Sequence, residues 1–246
     1  MIRLALCSLV LSVACGSDGP ELPVSNGLGP APFDPGETYA PAVTSGDALS
    51  AAITNPFFPA AVGTHWEYEA TTDEGTERIV VDVLAETRDV WGFSARVVRD
   101  TVYLNDEMIE DTWDWYGQDA DGNVWYVGEE TYEYEGGEVV CSCGAWETGV
   151  DGALPGVLML ADPQVGMVYR EEYYAGEAED LAEIVSINET VTVAAGTFEG
   201  CVQTRNLSAL EPIEEFKFHC PGVGTVLEVE DDERVELTVF TAPTPE

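Results

Sequence analysis

Two histidines, six cysteines and a large excess of carboxylates are the residues of this 246-residue chain that could do chemistry. His65 and His219 each sit in an alternating apolar–polar run, with no local signature of a nucleophile or a metal around them. Both read as hydrogen-bonded or outward-facing strand residues. No Gly-x-Ser-x-Gly elbow, His-Glu-x-x-His pair or phosphate loop occurs. Paired carboxylates can cut glycosidic bonds. Among 47 acids, however, any one pair carries little information. The residues point away from an enzyme, and no catalytic residue is assigned.

The run from Asp119 to Glu130 has a sharper pattern. Asp119, Asp121, Asn123 and Glu130 stand at positions 1, 3, 5 and 12 of a loop with EF-hand-like spacing, and oxygen ligands so spaced can wrap Ca²⁺. The glycine is misplaced: Val124 holds position 6, and Gly122 comes two residues early. Trp125-Tyr126-Val127 then reads as strand. The same residues therefore fit a β-hairpin tip, with Asp and Asn accepting local hydrogen bonds and Gly122 taking positive φ. Trp113, Trp115, Trp125 and Tyr126 flank that tip. A turn centred near residue 120 would set Trp115 opposite Trp125 or Tyr126, a contact worth about 0.2–1 kcal/mol. The aromatic group is either core packing or a platform or apolar cavity for a lipid or glycan.

The cysteines divide by position. Arg3 is followed by an apolar run from Leu4 to Val13 and then by Ala14-Cys15. A charged start, a short apolar stretch and a small residue before the cut describe a secretory signal peptide, too short to span a bilayer. Leu11-Ser12-Val13-Ala14-Cys15 resembles a bacterial lipobox, although Ser12 stands where a branched apolar residue is preferred. Cys15 is then the lipidated first residue of the mature chain and its link to the membrane. Gly16 rather than Asp after it resembles the sorting signal for the outer membrane.

Beyond Cys7 and Cys15 four cysteines remain, and in an exported chain they are disulfide candidates first. Cys141-Ser142-Cys143 places both thiols on one face of a strand, where they pair with each other, stay free, or hold a soft metal. For Cys201 and Cys220, hairpin arithmetic gives a register. Two runs, Gly200 to Leu207 and Ile213 to Cys220, are joined through Ser208 to Pro212. Opposed residues in such a hairpin have a constant sum, so pairing 201 with 220 centres the turn between Leu210 and Glu211. The two cysteines then face each other at disulfide range.

Composition sets the wider limits. The formal charge is −38, and loss of residues 1–14 removes Arg3 and no acid, giving −39. Lys217 is the only lysine. Such a surface repels nucleic acid and anionic headgroups. It leaves solubility, a cationic partner or Ca²⁺ as its uses. Apolar residues make up 45% of the chain, enough for a core, so disorder is excluded for the bulk of it.

What must position these residues is a set of strands. From Thr64 onward the period is two: Trp66, Tyr68 and Ala70 alternate with polar residues, as do Ile79, Val81 and Val83. Further runs follow at 93–104, 108–118, 123–127, 131–135, 138–143, 167–175, 190–193, 200–207, 213–220, 225–229 and 234–241, separated by turn residues. The fold class expected is all-β and mostly antiparallel: a curved sheet, half-barrel or sandwich. Ala178 to Val185 favours helix locally but lies between strands, and is read as strand. Ser45 to Thr54 reads as a short helix ended by Asn55-Pro56. Residues 144–166 form a long Gly/Pro-containing connection. The organisation is then signal peptide 1–14, a Pro/Gly-rich tether 15–45 and one β-rich domain 46–246.

Several segments are similar to a group of uncharacterised bacterial secreted proteins. They are Asn55-Pro56-Phe57-Phe58-Pro59 with Val62 to Tyr68, the stretch Asp111 to Tyr126, Trp146 to Gly156, and Ala195 to Phe198 with Pro221 to Gly224. The resemblance spans about residues 55–230. It implies a shared fold and no activity, and it does not extend to Cys141 and Cys143. The leading expectation is a non-enzymatic envelope lipoprotein that binds an apolar ligand in a curved sheet. The alternative is an acidic interaction or scaffold module, organised by Ca²⁺ or a cationic partner, and an enzyme ranks third. A pocket lined by Trp and Phe would favour the first; a packed core with clustered surface carboxylates would favour the second.

Overall fold

The computed structural model describes residues 39–210 and 214–243. The expected signal peptide, Cys15 and the expected tether up to residue 38 lie outside the described residues, as does part of the expected turn 208–212.

The protein is all-β. The first arm of the sheet runs through β1 (His65–Thr72), β2 (Gly75–Val90), β3 (Phe93–Leu104), β4 (Glu107–Gln118), β5 (Val124–Glu135) and β6 (Glu138–Cys141). The long connection carries β7 (Trp146–Glu147) and β8 (Gly156–Met159). The second arm is β9 (Val168–Arg170), β10 (Asp180–Val193), β11 (Gly196–Ser208), β12 (Glu214–Cys220), β13 (Gly224–Glu230) and β14 (Glu233–Thr241). Each arm is an up-and-down meander. Antiparallel pairing of β1 with β14 joins them into one open sheet, ordered β6-β5-β4-β3-β2-β1-β14-β13-β12-β11-β10-β9.

Period two explains the arms. Trp66, Tyr68 and Ala70 on β1 and Ile79, Val81 and Val83 on β2 are all buried on the same side. Large apolar residues occupy both faces of the sheet, so the described residues form two cores. The larger gathers Trp66, Tyr68, Tyr116, Tyr126, Leu158 and Leu237. The second, on the opposite face of β4 and β5, gathers Trp115, Trp125 and Val127 with Val97, Ile184 and Val202.

The long connection is not a structureless loop. β7 and β8 both pair with β5, and Leu154 N–H donates to Tyr173 O at 2.8 Å. The connection thus ties the β5 side of the sheet to the segment after β9. Gly156 lies against the backbone of Glu171 so closely that any Cβ would clash with its carbonyl, and glycine alone permits that approach.

The helix expected over Ser45 to Thr54 is a single three-residue turn, Gly46–Ala48, capped by the Ser45 side chain. Tertiary pairing overrides the local preference: Ser50 exchanges two backbone hydrogen bonds with Gln118, at 2.9 and 2.8 Å. The Gln118 side chain then accepts from the backbone of Thr54 and Asn55. Packing also begins upstream of residue 46, because Val43 is buried and the Tyr39 hydroxyl donates to Pro155 O. The runs 123–127 and 131–135 form one strand, β5, interrupted by a bulge.

β11 and β12 pair with Val202 opposite His219 and Leu207 opposite Glu214, the constant-sum register of the hairpin, and Cys201 is disulfide-bonded to Cys220. Both cysteines are buried in the larger core. Closing a loop of this length contributes about 3 kcal/mol in the chain-entropy picture.

Candidate functional site

The bulge on β5 creates the site. Asp114 pairs with Glu129 and Trp115 with Gly128, but Tyr116 pairs with Tyr126, leaving Val127 extra. Gly128 takes φ 138°, where a Cβ would meet the Trp146 carbonyl and the Trp115 ring. The extra residue reverses which side chains face which way. Before it, Val124 and Tyr126 face the larger core. After it, Glu129 and Thr131 do, while Glu130 and Tyr132 face the opposite side with Trp113 and Trp115.

On that opposite side lies a surface groove of about 380 Å³ between β2 and β5. Trp113, Trp115 and Tyr132 supply its aromatic surface, and Glu86, Arg88 and Glu130 its charged groups. The Arg88 guanidinium lies over the Trp115 ring, 4.5 Å from its centroid, and meets Glu147 at 3.3 Å. Arg99 stacks over Trp113 and pairs with Asp111 through two bonds of 2.7 and 2.8 Å. The Trp113 and Tyr132 rings meet edge-on. Aromatic faces held by fixed cations, beside planar polar groups, suit a ligand with alternating apolar and hydroxylated surfaces.

On the larger core's side, the same two strands carry buried carboxylates. Asp114 and Glu129 face each other directly and are 3% and 2% exposed. The Tyr126 hydroxyl lies 2.7 Å from Asp114 Oδ1 and 2.6 Å from Glu129 Oε2. A phenol has one proton, so it donates to one carboxyl and must accept from the other. One of the two acids therefore holds a proton. Burial pushes Asp114 up to about 6, against the pull of the Tyr126 hydrogen bond. Burial and the facing Asp114 push Glu129 well above the usual carboxylate range. Glu172, buried nearby, is raised for the same reason, by burial and then by Asp180 and Glu129.

Asp100 and Asp114 also line a cavity of about 30 Å³ with Phe58, Trp66, Tyr68 and Tyr116. That is room for a water molecule or so, not for an acyl chain. The aromatic residues that could have lined a lipid pocket fill it instead.

The predicted calcium ligands do not come together. Asp119 Oδ1 accepts from the backbone of Asp121 and Asn123, and its Oδ2 from Asn123 Nδ2 and Trp125 Nε1. Asn123 Oδ1 accepts from Ala161 N–H. Glu130 sits opposite Trp113 on β5, where it accepts from the Tyr132 hydroxyl. Among the described residues no three His, Cys, Asp or Glu side chains are grouped to hold a metal ion. The tip is a hairpin whose own donors saturate Asp119, with Gly122 at φ 94°.

The aromatic group is divided between the faces. Trp115 stands over Gly128 rather than opposite Trp125 or Tyr126, because the turn centres one residue later and the bulge adds another. Tyr126 stacks on Tyr116, centroids 4.9 Å apart, and meets Trp146 edge-on. His65 bonds Asp82 and Glu67; His219 is buried between Thr204 and Thr225, and burial lowers it to about 3. Cys141 and Cys143 are disulfide-bonded to each other.

Sequence reasoning missed Glu86, Arg88 and Tyr132 in the groove and Asp114 with Glu129 beneath it. For Asp114 a signal existed: in Trp113-Asp114-Trp115-Tyr116 it shares parity with Tyr116, a core aromatic. For Glu129 none did, since the bulge changes its parity.

No protein-family model matches the chain, and no curated protein matches its sequence. Two solved structures resemble it. A candidate exported protein with a YmcC-like fold, from Bacteroides fragilis, is 16% identical, with a TM-score of 0.46 over 77% of this chain and 100% of its own. A candidate lipoprotein from Parabacteroides distasonis is 12% identical, with a TM-score of 0.41 over 76% and 99%.

Proposed function

We propose that this chain is a non-enzymatic lipoprotein of the bacterial envelope, anchored through Cys15, that binds a neutral glycan in the groove over β2–β5. The anchor rests on the signal peptide and lipobox pattern, and the outer membrane on Gly16. The observation that carries the ligand is the pairing of Trp113 and Tyr132 with Arg88, Glu86 and Glu130 around about 380 Å³ of open space, while the core beneath has about 30 Å³. Sugar rings stack their apolar faces on aromatics and use vicinal hydroxyls to bridge planar charged groups. The chain's net charge disfavours an anionic ligand.

The test is tryptophan fluorescence of the full domain titrated with an N-acetylglucosamine tetrasaccharide and with a maltodextrin. Saturable quenching by one, weakened at least tenfold by Trp113→Ala, supports the reading. No response to either, or a response unchanged in Trp113→Ala, sinks it. Fractionation of Cys15→Ser tests the anchor separately: release from the membrane is expected.

A further inference from the structure

The two disulfides of the described domain occupy opposite environments. Cys201 and Cys220 are 0% and 1% exposed, within the larger core. Cys143 is exposed, Ser142 beside it is exposed, and Cys141 is half-buried. The second pair lies two residues apart, at the end of β6. β6 is the terminal strand of the sheet order and pairs with β5 over a few residues, Cys141 standing opposite Glu133. A bond between residues two apart closes almost no loop, so it restrains the unfolded chain little. Opening it disturbs no apolar core.

We propose that Cys141–Cys143 is a thiol–disulfide exchange site, open to a dithiol of a partner protein, while Cys201–Cys220 is structural. The partner's thiolate attacks Cys143 Sγ, the more accessible sulfur. The Sγ–Sγ bond breaks, and its electron pair leaves on Cys141, which takes a proton. The partner's second thiol then attacks its own sulfur in the mixed disulfide and releases Cys143 as a thiol. The partner dithiol loses two electrons and two protons and becomes a disulfide; Cys141 and Cys143 gain them. Exposed disulfides are the ones that exchange in this way.

Surroundings select the partner. Val139 and Val140, immediately before Cys141, are each 53% exposed on the terminal strand, where an extended segment of a partner could pair. Glu133, Glu135 and Glu138 cluster on the β5–β6 hairpin. These carboxylates repel an anionic thiol, so the site favours a neutral or basic one.

The test is reaction of the folded, full-length protein with dithiothreitol and with reduced glutathione, followed by acid quench, alkylation and peptide mapping. Cys141 and Cys143 should be labelled by dithiothreitol at least tenfold faster than Cys201 and Cys220, with the circular dichroism unchanged. Glutathione, being anionic, should react more slowly and be accelerated by salt. In Cys141→Ser, oxidised glutathione should form its adduct on Cys143. Equal rates for the two disulfides, or loss of the β-sheet spectrum on opening the exposed pair, would overturn the proposal. So would an absence of adduct on Cys143 in a folded Cys141→Ser protein. Should Cys141→Ser not fold, Cys143→Ser with the adduct sought on Cys141 gives the same decision.

Discussion

Glu129 and Glu130 are neighbours on one strand and live under opposite rules. Glu129 is 2% exposed, shares the Tyr126 phenol with Asp114 and sits where an ionised carboxylate is costly. Glu130 faces the groove, accepts from the Tyr132 hydroxyl and lies 3.9 Å from Arg88. The contrast runs across β4 as well, between Asp114 and Trp115. One face of these strands is spent on packing and held protons, and the other is left partly open. Residue type did not decide this; the position of one bulge did.

The largest effect expected from breaking the contrast is on the packed face. Tyr126→Ala removes a fully buried ring stacked on Tyr116 and against Trp146, and also strips Asp114 and Glu129 of their shared partner. Unfolding in urea should show a loss of about 3–5 kcal/mol. Trp113→Ala, on the half-exposed face, should lose about 1 kcal/mol or less. Equal losses would mean that the groove is part of the core.

Next in size is the dependence on pH. Asp114, Glu110 and Glu228 are raised by burial to about 6, 7 and 8. Their folded values exceed their unfolded ones, so the folded state binds more protons through this window. The stability they contribute is fully present below about pH 4 and is lost as pH rises toward 8. For Asp114 alone the shift corresponds to on the order of 3 kcal/mol. Chemical denaturation at pH 5 and pH 8, in salt high enough to screen the surface, should show the protein weaker at pH 8. In Asp114→Asn the difference should shrink by a measurable part; a slope of opposite sign would refute the protonated cluster.

The subtlest comparison uses two isosteric changes. Glu129→Gln puts a neutral group of the same shape at this buried position, so no proton has to be taken up on folding, and at pH 8 it should raise the melting temperature. Glu130→Gln should change stability by about 0.5 kcal/mol or less. Glycan binding should respond the other way round, falling in Glu130→Gln and unchanged in Glu129→Gln. An identical response in both readouts would erase the distinction between the faces.

Much of this molecule follows from local pattern. Alternation at Trp66, Tyr68 and Ala70 reads as strand because side chains of a strand point to opposite faces in turn. The constant-sum rule places Cys201 across from Cys220 because turn length and register are linked in a hairpin, and β11 and β12 carry that register. Tertiary structure alone decided three other things. It captured Ser50 on Gln118 in place of a helix. It drew residues 144–166 onto β5 as β7 and β8. It also set an extra residue at Val127, which turned Glu129 toward the larger core and Glu130 toward the groove. The physical reason is range. Periodicity is a property of neighbours along the chain, whereas a bulge, a docked loop and the burial of a carboxylate are settled by residues dozens of positions away.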